Sequence, residues 1–491
     1  MKKGARKMEQ TQTGLSENLE TILSAFRTDA SFRCRVFQTG MGARAAICYL
    51  DGMVSQEVVR EGVIRPLMLA LPTSEPNLAA YASECVLFAT EVKGTDSIDT
   101  AIDGLLGGAA ILFFDACPTV LVIDAKGFRS RGIQEPENES VLQGPREGFD
   151  EVAIQSIAMI RRKLQTPDLC AEQITLGKQT KTAIYLCYLR RLASPRLVAE
   201  LKRRLAKIEI DGVLDTNYLN ELIRDKKTSI FKTMGTTERP DVVAAKLLEG
   251  RVAILANGTP VVLTVPYLFA ENFQSDEDYY VNFWGASIGR LLRYLCFFLT
   301  ISVPAVYLAL LTHHQRLLPT FLLLSAAGTR GGVPFSSLVE CLVLILVLEI
   351  LKETGARMPQ NLGHTLGIIG GLVVGQAAVE ARLVSASMLI VVAVSGIAGL
   401  MIPRLRAAVF FLRVGLVLLS AWLGLAGWLL GVSALLIRLT GTTSFGVSYL
   451  QPLESPTAQG MKDTFLRVSW GKMLTRPAFN RNLTRQRRKK E

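Results

Sequence analysis

Two patterns of hydrophobic positions divide the chain near Arg290. Downstream come apolar runs that are long and poor in charge: residues 294–311, 335–351, 365–379, 383–402 and 409–437, with a shorter one at 317–327. The last long run holds Arg413 as its one charge. A helix needs about 20 apolar residues to cross roughly 30 Å of hydrocarbon, so these runs predict an integral membrane domain. Upstream, apolar stretches are short and separated by turn residues. Residues 44–50 read as a strand ending in Asp51-Gly52, and 55–69 as an amphipathic helix with Ser55 as N-cap. A helix at 98–106 leads to buried strands at 109–114 and 120–123. Helices follow at 149–164, 197–208 and 241–248. Strands at 252–256 and 261–264 flank Asn257-Gly258, a strong hairpin signal.

These elements predict a fold of two classes in series: a soluble α/β region of two subdomains, then an α-helical polytopic membrane domain. The expected boundaries are a disordered basic N-terminus at 1–15, subdomains at 16–165 and 166–290, the membrane domain at 291–440 and a basic tail at 441–491. With the N-terminal region and tail both cytoplasmic, the number of crossings is even. Four are expected, with 335–351, which carries Glu340 and Glu349, lying in the interface or re-entering. Arg404 and Arg406 then fall on the outer side, against the positive-inside tendency.

Charge sharpens this division. Residues 1–290 hold 35 Lys and Arg against 36 Asp and Glu, whereas residues 291–491 hold 20 against 7. A basic excess confined to membrane flanks and tail suits anionic lipid as a partner, and the neutral soluble region excludes nucleic acid. Basic residues 1–7 lead into a polar stretch with no apolar h-region, so no secretory signal is expected and the soluble region stays cytoplasmic. The eight cysteines form no C-x-x-C pair. They are expected as small buried residues in a reducing compartment.

The chemistry-bearing motifs point away from catalysis. The chain contains no phosphate loop, no nucleophile elbow and no H-E-x-x-H. His313, His314 and His364 all sit at membrane borders, and neither a cofactor nor a metal is implied. Gly367, Gly371 and Gly375 recur every four residues on one helix stripe, where missing side chains allow close backbone approach. That stripe reads either as a tight helix contact or as a pore lining. Val374, Gln376 and Glu380 continue the same helix, with Gln376 and Glu380 on its polar side. Glu340 and Glu349 flank an apolar run that reads as an interfacial helix, a gate or a proton relay, because polar groups at membrane depth are functional candidates. The segment 276–293, with Asp276, Asp278, Tyr279, Tyr280, Arg290 and Arg293, is expected to transmit movement to the first span.

Four ordered stretches resemble the spore germination GerA family, specifically its A-type subunits. They are Gln143-Gly144-Pro145-Arg146-Glu147-Gly148-Phe149; Arg239-Pro240-Asp241-Val242 with Leu248-Glu249-Gly250-Arg251; Phe273-Gln274-Ser275-Asp276-Glu277-Asp278-Tyr279-Tyr280; and Glu353-Thr354-Gly355-Ala356-Arg357-Met358-Pro359, which leads to Gly367. Ser448 departs from the family pattern, which more often has proline there. The resemblance implies a nutrient germinant receptor subunit in the spore inner membrane, or its sporulation-operon relative. It implies a homo-oligomeric ring, as a pentamer, with a cation pathway through its membrane helices. A permease-like B subunit and a C-type lipoprotein are the implied partners. An ion carrier using membrane carboxylates, or a signalling scaffold, is the alternative.

Overall fold

The strands at 44–50 and 109–114 become central neighbours in a sheet because both of their faces are covered. The computed structural model describes residues 11–73, 75, 77–127, 139, 141, 143–357, 373, 375–454, 460–473 and 475–476. Strands β1 (Phe32–Gln38), β2 (Arg44–Leu50), β3 (Val92–Thr95), β4 (Ala110–Phe114) and β5 (Val120–Ile123) form an antiparallel sheet in the order β1-β2-β4-β5-β3. Ala45, Ile47, Leu112 and Phe114 pack with Val59, Val63 and Leu67 from the helical stretch following β2. Ala46, Cys48, Ile111 and Phe113 pack on the other side, with Ile22 of α1 (Leu15–Ala25), Phe26 just after it, and Ile102 and Leu105 of α2 (Ile98–Leu106). Burial on both faces turns alternation into a continuous apolar run, which is why these strands were legible. The edge strand β1, with Arg33 and Arg35, was not.

The architecture then repeats. Strands β6 (Leu169–Leu176), β7 (Thr182–Leu189), β8 (Gly235–Thr237), β9 (Val252–Ala256) and β10 (Val262–Val265) form a second antiparallel sheet, ordered β6-β7-β9-β10-β8. Strand for strand this is the order of the first sheet. Helix α3 (Ala153–Lys163) precedes it as α1 precedes the first. Between β7 and β8 come α4 (Pro195–Leu205) and α5 (Thr216–Ile223), and α6 (Pro240–Leu248) corresponds to α2. The two sheets belong to one compact unit, which holds the described residues up to Lys227 and Met234–Pro266. Buried Arg161 of α3 ion-pairs with buried Asp29, and Asp29 also accepts from the Ser31 N–H at 2.9 Å. Ala30 N–H donates to the Ala171 carbonyl at 2.8 Å, so the chain before β1 is stitched to β6. The expected disorder of 1–15 is corrected at its end: Thr11 N–H bonds the Asp96 carbonyl at 3.0 Å, and α1 starts at Leu15.

The second unit comprises Thr228–Thr233 and Tyr267–Met473. Residues 267–290, expected in the second soluble subdomain, therefore cluster with the helices, and so does the described chain after Thr440 up to Met473. Its named helices among the described residues are α7 (Phe283–Thr312), α8 (Thr320–Arg330), α9 (Ser337–Arg357), α10 (Ala386–Leu400), α11 (Arg406–Leu423) and α12 (Leu425–Thr440), with residues 375–380 also helical. The single run 409–437 is two helices, broken at Gly424, where φ is +64°. A Cβ on Gly427 would meet the Leu419 carbonyl, and one on Gly431 the Leu416 side chain, so α11 and α12 run antiparallel as a tight hairpin.

Contacts along these helices fix their directions. Glu340 meets Ser385, Leu348 lies at Gly396 and Lys352 at Gly399, so α9 and α10 run parallel. Gly424 lies against His313 and His314 at the far end of α7. Arg404 and Arg406, by contrast, sit at the end where α7 starts: Arg404 pairs with Asp276 and Arg406 with Glu353. At ~1.5 Å per residue the continuous 21-residue α9 is about 31 Å long. Arg404 and Arg406 share the end of the bundle where Asp276 lies.

Candidate functional site

Helix α7 begins where Asn282 caps it, its side chain accepting from Trp284 N–H at 3.1 Å. Two turns later Arg290 and Arg293 project from one face, as residues three apart must. Just upstream, Ser275 N–H bonds Asp278 Oδ2 at 3.2 Å and closes a short turn that aims Asp278 back at the helix. Arg290 Nε lies 2.8 Å from Asp278 Oδ2, and Arg293 reaches both oxygens of Asp278, at 2.9 and 3.0 Å. Arg293 also bonds the Phe273 carbonyl at 2.9 Å. Asp278 is thus a buried carboxylate held by two guanidiniums, the strong charge-assisted kind of hydrogen bond.

The clasp is completed from 173 positions downstream. Asp463 Oδ1 accepts from Arg290 Nη1 at 2.7 Å, while its Oδ2 accepts from the Tyr279 hydroxyl at 2.9 Å. Gln274 Nε2 donates to the Asp463 carbonyl at 2.7 Å. Arg467 stacks on Tyr279 and Trp470, each at 5.7 Å to the ring centroid, and donates to the Val281 carbonyl at 2.7 Å. Asp276 stands apart from this knot and takes Arg404 Nη2 at 3.0 Å. Arg404 also reaches the carbonyls of Glu271 and Gln274. Of the expected coupling residues, Asp278, Tyr279, Arg290 and Arg293 meet directly, Asp276 ties in α11 through Arg404, and Tyr280 is exposed. Asp463, Arg467 and Arg404 were missed. A basic-tail reading concealed Asp463 and Arg467, and an outer-side placement concealed Arg404, since pairing across such a sequence separation has no local signature.

A second charged cluster lies inside the helices. Arg413, fully buried, donates to Glu349 Oε1 at 3.1 Å and Ser395 Oγ at 3.3 Å. Ser395 Oγ donates to the Thr300 carbonyl at 3.0 Å, and Lys352 Nζ is 3.5 Å from Glu349. One network therefore joins α7, α9, α10 and α11. Glu340 is separate and fully buried; its Oε1 takes both the N–H and hydroxyl of Ser385, each at 2.5 Å, while its Oε2 has no partner among the described residues. Gly367, Gly371 and Val374 lie outside the described residues. Gly375, Gln376 and Glu380 fall on helix, with Gln376 Nε2 donating to Glu380 Oε1 at 3.0 Å on an exposed face. Among the described residues no cluster of His, Cys, Asp and Glu is arranged to hold a metal.

A two-sheet α/β unit and a helical unit with long apolar helices define a class of protein: a polytopic membrane protein with a large extramembrane region. The chain belongs to the Bacillus/Clostridium GerA spore germination protein family, whose description it matches over residues 17–479. It is 40% identical over 427 residues to spore germination protein KA of Bacillus subtilis, covering 87% of this chain and 78% of that one. It is 38% identical to the uncharacterized membrane protein YfkQ of the same organism, covering 94% and 90%. Spore germination protein B1 is 34% identical over 96% of this chain and 98% of its own. In solved structures, the N-terminal domain of the A subunit of the Bacillus megaterium germinant receptor GerK3 aligns at 29% identity with a TM-score of 0.41, over 54% of this chain and 99% of that one. The chain thus has a role in spore germination.

Proposed function

We propose that this chain is a non-catalytic A-type subunit of a nutrient germinant receptor, forming an oligomeric ring, as a pentamer, around a gated cation pathway in the spore inner membrane. A permease-like B subunit and a C-type lipoprotein are its partners in this reading. The observation that carries it is the Glu349–Arg413 pair where four apolar helices meet, its guanidinium fully buried and its carboxylate largely so. Burying charge among apolar side chains is costly, so such groups at membrane depth mark ion pathways or switches. The clasp at the foot of α7 supplies the lever: packed helices have discrete arrangements, and a shift at the foot biases which is occupied. In this scheme Gly367, Gly371, Val374, Gly375, Gln376 and Glu380 line the pathway, with apolar Val374 closing it by dewetting. In this reading both chain ends, with Arg404 and Arg406, lie on the cytoplasmic side.

Cation flux through the purified oligomer in liposomes tests this, alone and with its partner subunits. Gly371→Leu should abolish flux while leaving assembly intact. Flux unaffected by Gly371→Leu removes that helix from the pathway. A second reading, a carrier with a titrating carboxylate, draws on the Oε2 of Glu340, which has no partner among the described residues. Glu340→Gln should then abolish transport, whereas a channel only changes its conductance.

A further inference from the structure

Cys34 on β1 and Cys48 on β2 stand directly opposite one another in the antiparallel register. Opposed residues in such a pair have Cα atoms about 4.5 or 5.5 Å apart, and both values lie within the range a disulfide tolerates. The two sulfurs are 3.0 Å apart, with the Cys48 thiol donating to the Cys34 sulfur. Cys48 is buried in the apolar layer with Ile22 of α1 and the adjoining Phe26, whereas Cys34 is partly open to solvent. The bond from Cys48 lowers the Cys34 pKa, against burial, which raises it. The same bond, with burial behind it, pushes Cys48 up. One sulfur is accessible and disposed to ionise; the other is buried and within reach. That is the division of labour between an attacking and a resolving cysteine.

We propose that Cys34 and Cys48 form an oxidative modification site on the two-sheet unit, closed by a peroxide into an intrachain cross-strand disulfide. The Cys34 thiolate attacks a peroxide oxygen of H2O2, the O–O bond breaks, and the departing hydroxide takes a proton to leave as water. Cys34 is then a sulfenic acid. The Cys48 sulfur attacks it, the S–O bond breaks, the Cys48 proton leaves with the oxygen, and a second water is released. Two thiols and one H2O2 become one disulfide and two waters; the sulfurs lose the two electrons the peroxide gains. The product pins the edge strand β1 to β2 beneath α1.

The test treats the full-length protein in detergent with hydrogen peroxide, then unfolds it and alkylates its thiols. Two of the eight cysteines should become unreactive, restored by a reductant, with a linked peptide joining Cys34 to Cys48. Cys34→Ser should leave every remaining thiol reactive. Cys48→Ala should instead accumulate a Cys34 sulfenic acid that a dimedone probe traps. Eight reactive thiols after oxidation, or Cys34 driven to sulfinic acid without a cross-link in the unmutated chain, would overturn the proposal, and neither result requires a variant to fold. Cross-links between chains through exposed Cys85 in place of the Cys34–Cys48 peptide would overturn it equally.

Discussion

Asp463 closes on Arg290 across 173 positions of sequence, its Oδ1 2.7 Å from the guanidinium. Because Asp463 also holds the Tyr279 hydroxyl, one carboxylate clamps two parts of the α7 foot. Asp463→Ala should cost about 1–3 kcal/mol, the scale of leaving a charged hydrogen-bonding group without its partner. Limited proteolysis should then cut earlier within residues 460–473, and thermal unfolding in detergent should shift down. An unchanged cleavage pattern would detach Asp463 from the clasp.

Glu349 and Arg413 should behave as a unit. Glu349→Ala leaves a buried guanidinium short of its counter-charge and should destabilise the helices by about 3 kcal/mol. Replacing both with methionine should recover most of that loss, because a packed apolar pair avoids desolvating charge. A double-mutant cycle on thermal unfolding measures the coupling. Additive losses would mean the pair does not interact as its geometry indicates.

Gly424→Ala should fail locally. The backbone there has φ +64° and ψ −143°, a region essentially closed to side chains, and a Cβ would lie 2.6 Å from His314 Cε1. The expected cost is about 1–3 kcal/mol. Gly415→Ala within α11, where nothing crowds the added carbon, is the matched control.

Arg161→Ala should loosen the two sheets from one another. Asp29 would keep its Ser31 contacts but lose its buried counter-ion, at about 3–5 kcal/mol. Hydrogen exchange of β6 and of residues 28–31 should accelerate together. Acceleration confined to α3 would place the pair's effect in that helix alone.

A pH effect follows from Glu200 on α4. Hydrogen bonds from Arg203 first, and then Arg204, hold its carboxyl down to about 2. A lowered carboxylate adds stability above its ordinary value and loses it as pH falls toward 2. The pairs lie near the surface, so the contribution is about 0.5 kcal/mol. Glu200→Gln should flatten the acid side of the thermal-shift profile below pH ~4.5, and an identical profile would contradict the assignment.

What the sequence determined by itself is whatever its local patterns encode. The apolar runs marked a membrane domain, Asn257-Gly258 placed the β9–β10 hairpin, and doubly buried β2 and β4 stood out as unbroken hydrophobic stretches. The charged segment 276–293 was recognisable as a junction, because dense charge beside an apolar helix has few other uses. Tertiary structure alone decided what those charges meet. That Asp278 answers two arginines, that Asp463 returns from the C-terminal side, and that Arg404 and Arg406 share the end of Asp276 depend on how helices lie side by side. The duplicated strand order was equally hidden, because each sheet reuses a topology and not a sequence. The break at Gly424 escaped notice because glycine within an apolar run reads as helix until a neighbour, here His313 and His314, fills the space its side chain would need. Periodicity and turn chemistry act over a few residues, whereas ion pairing and close packing act between segments that only the folded chain brings together.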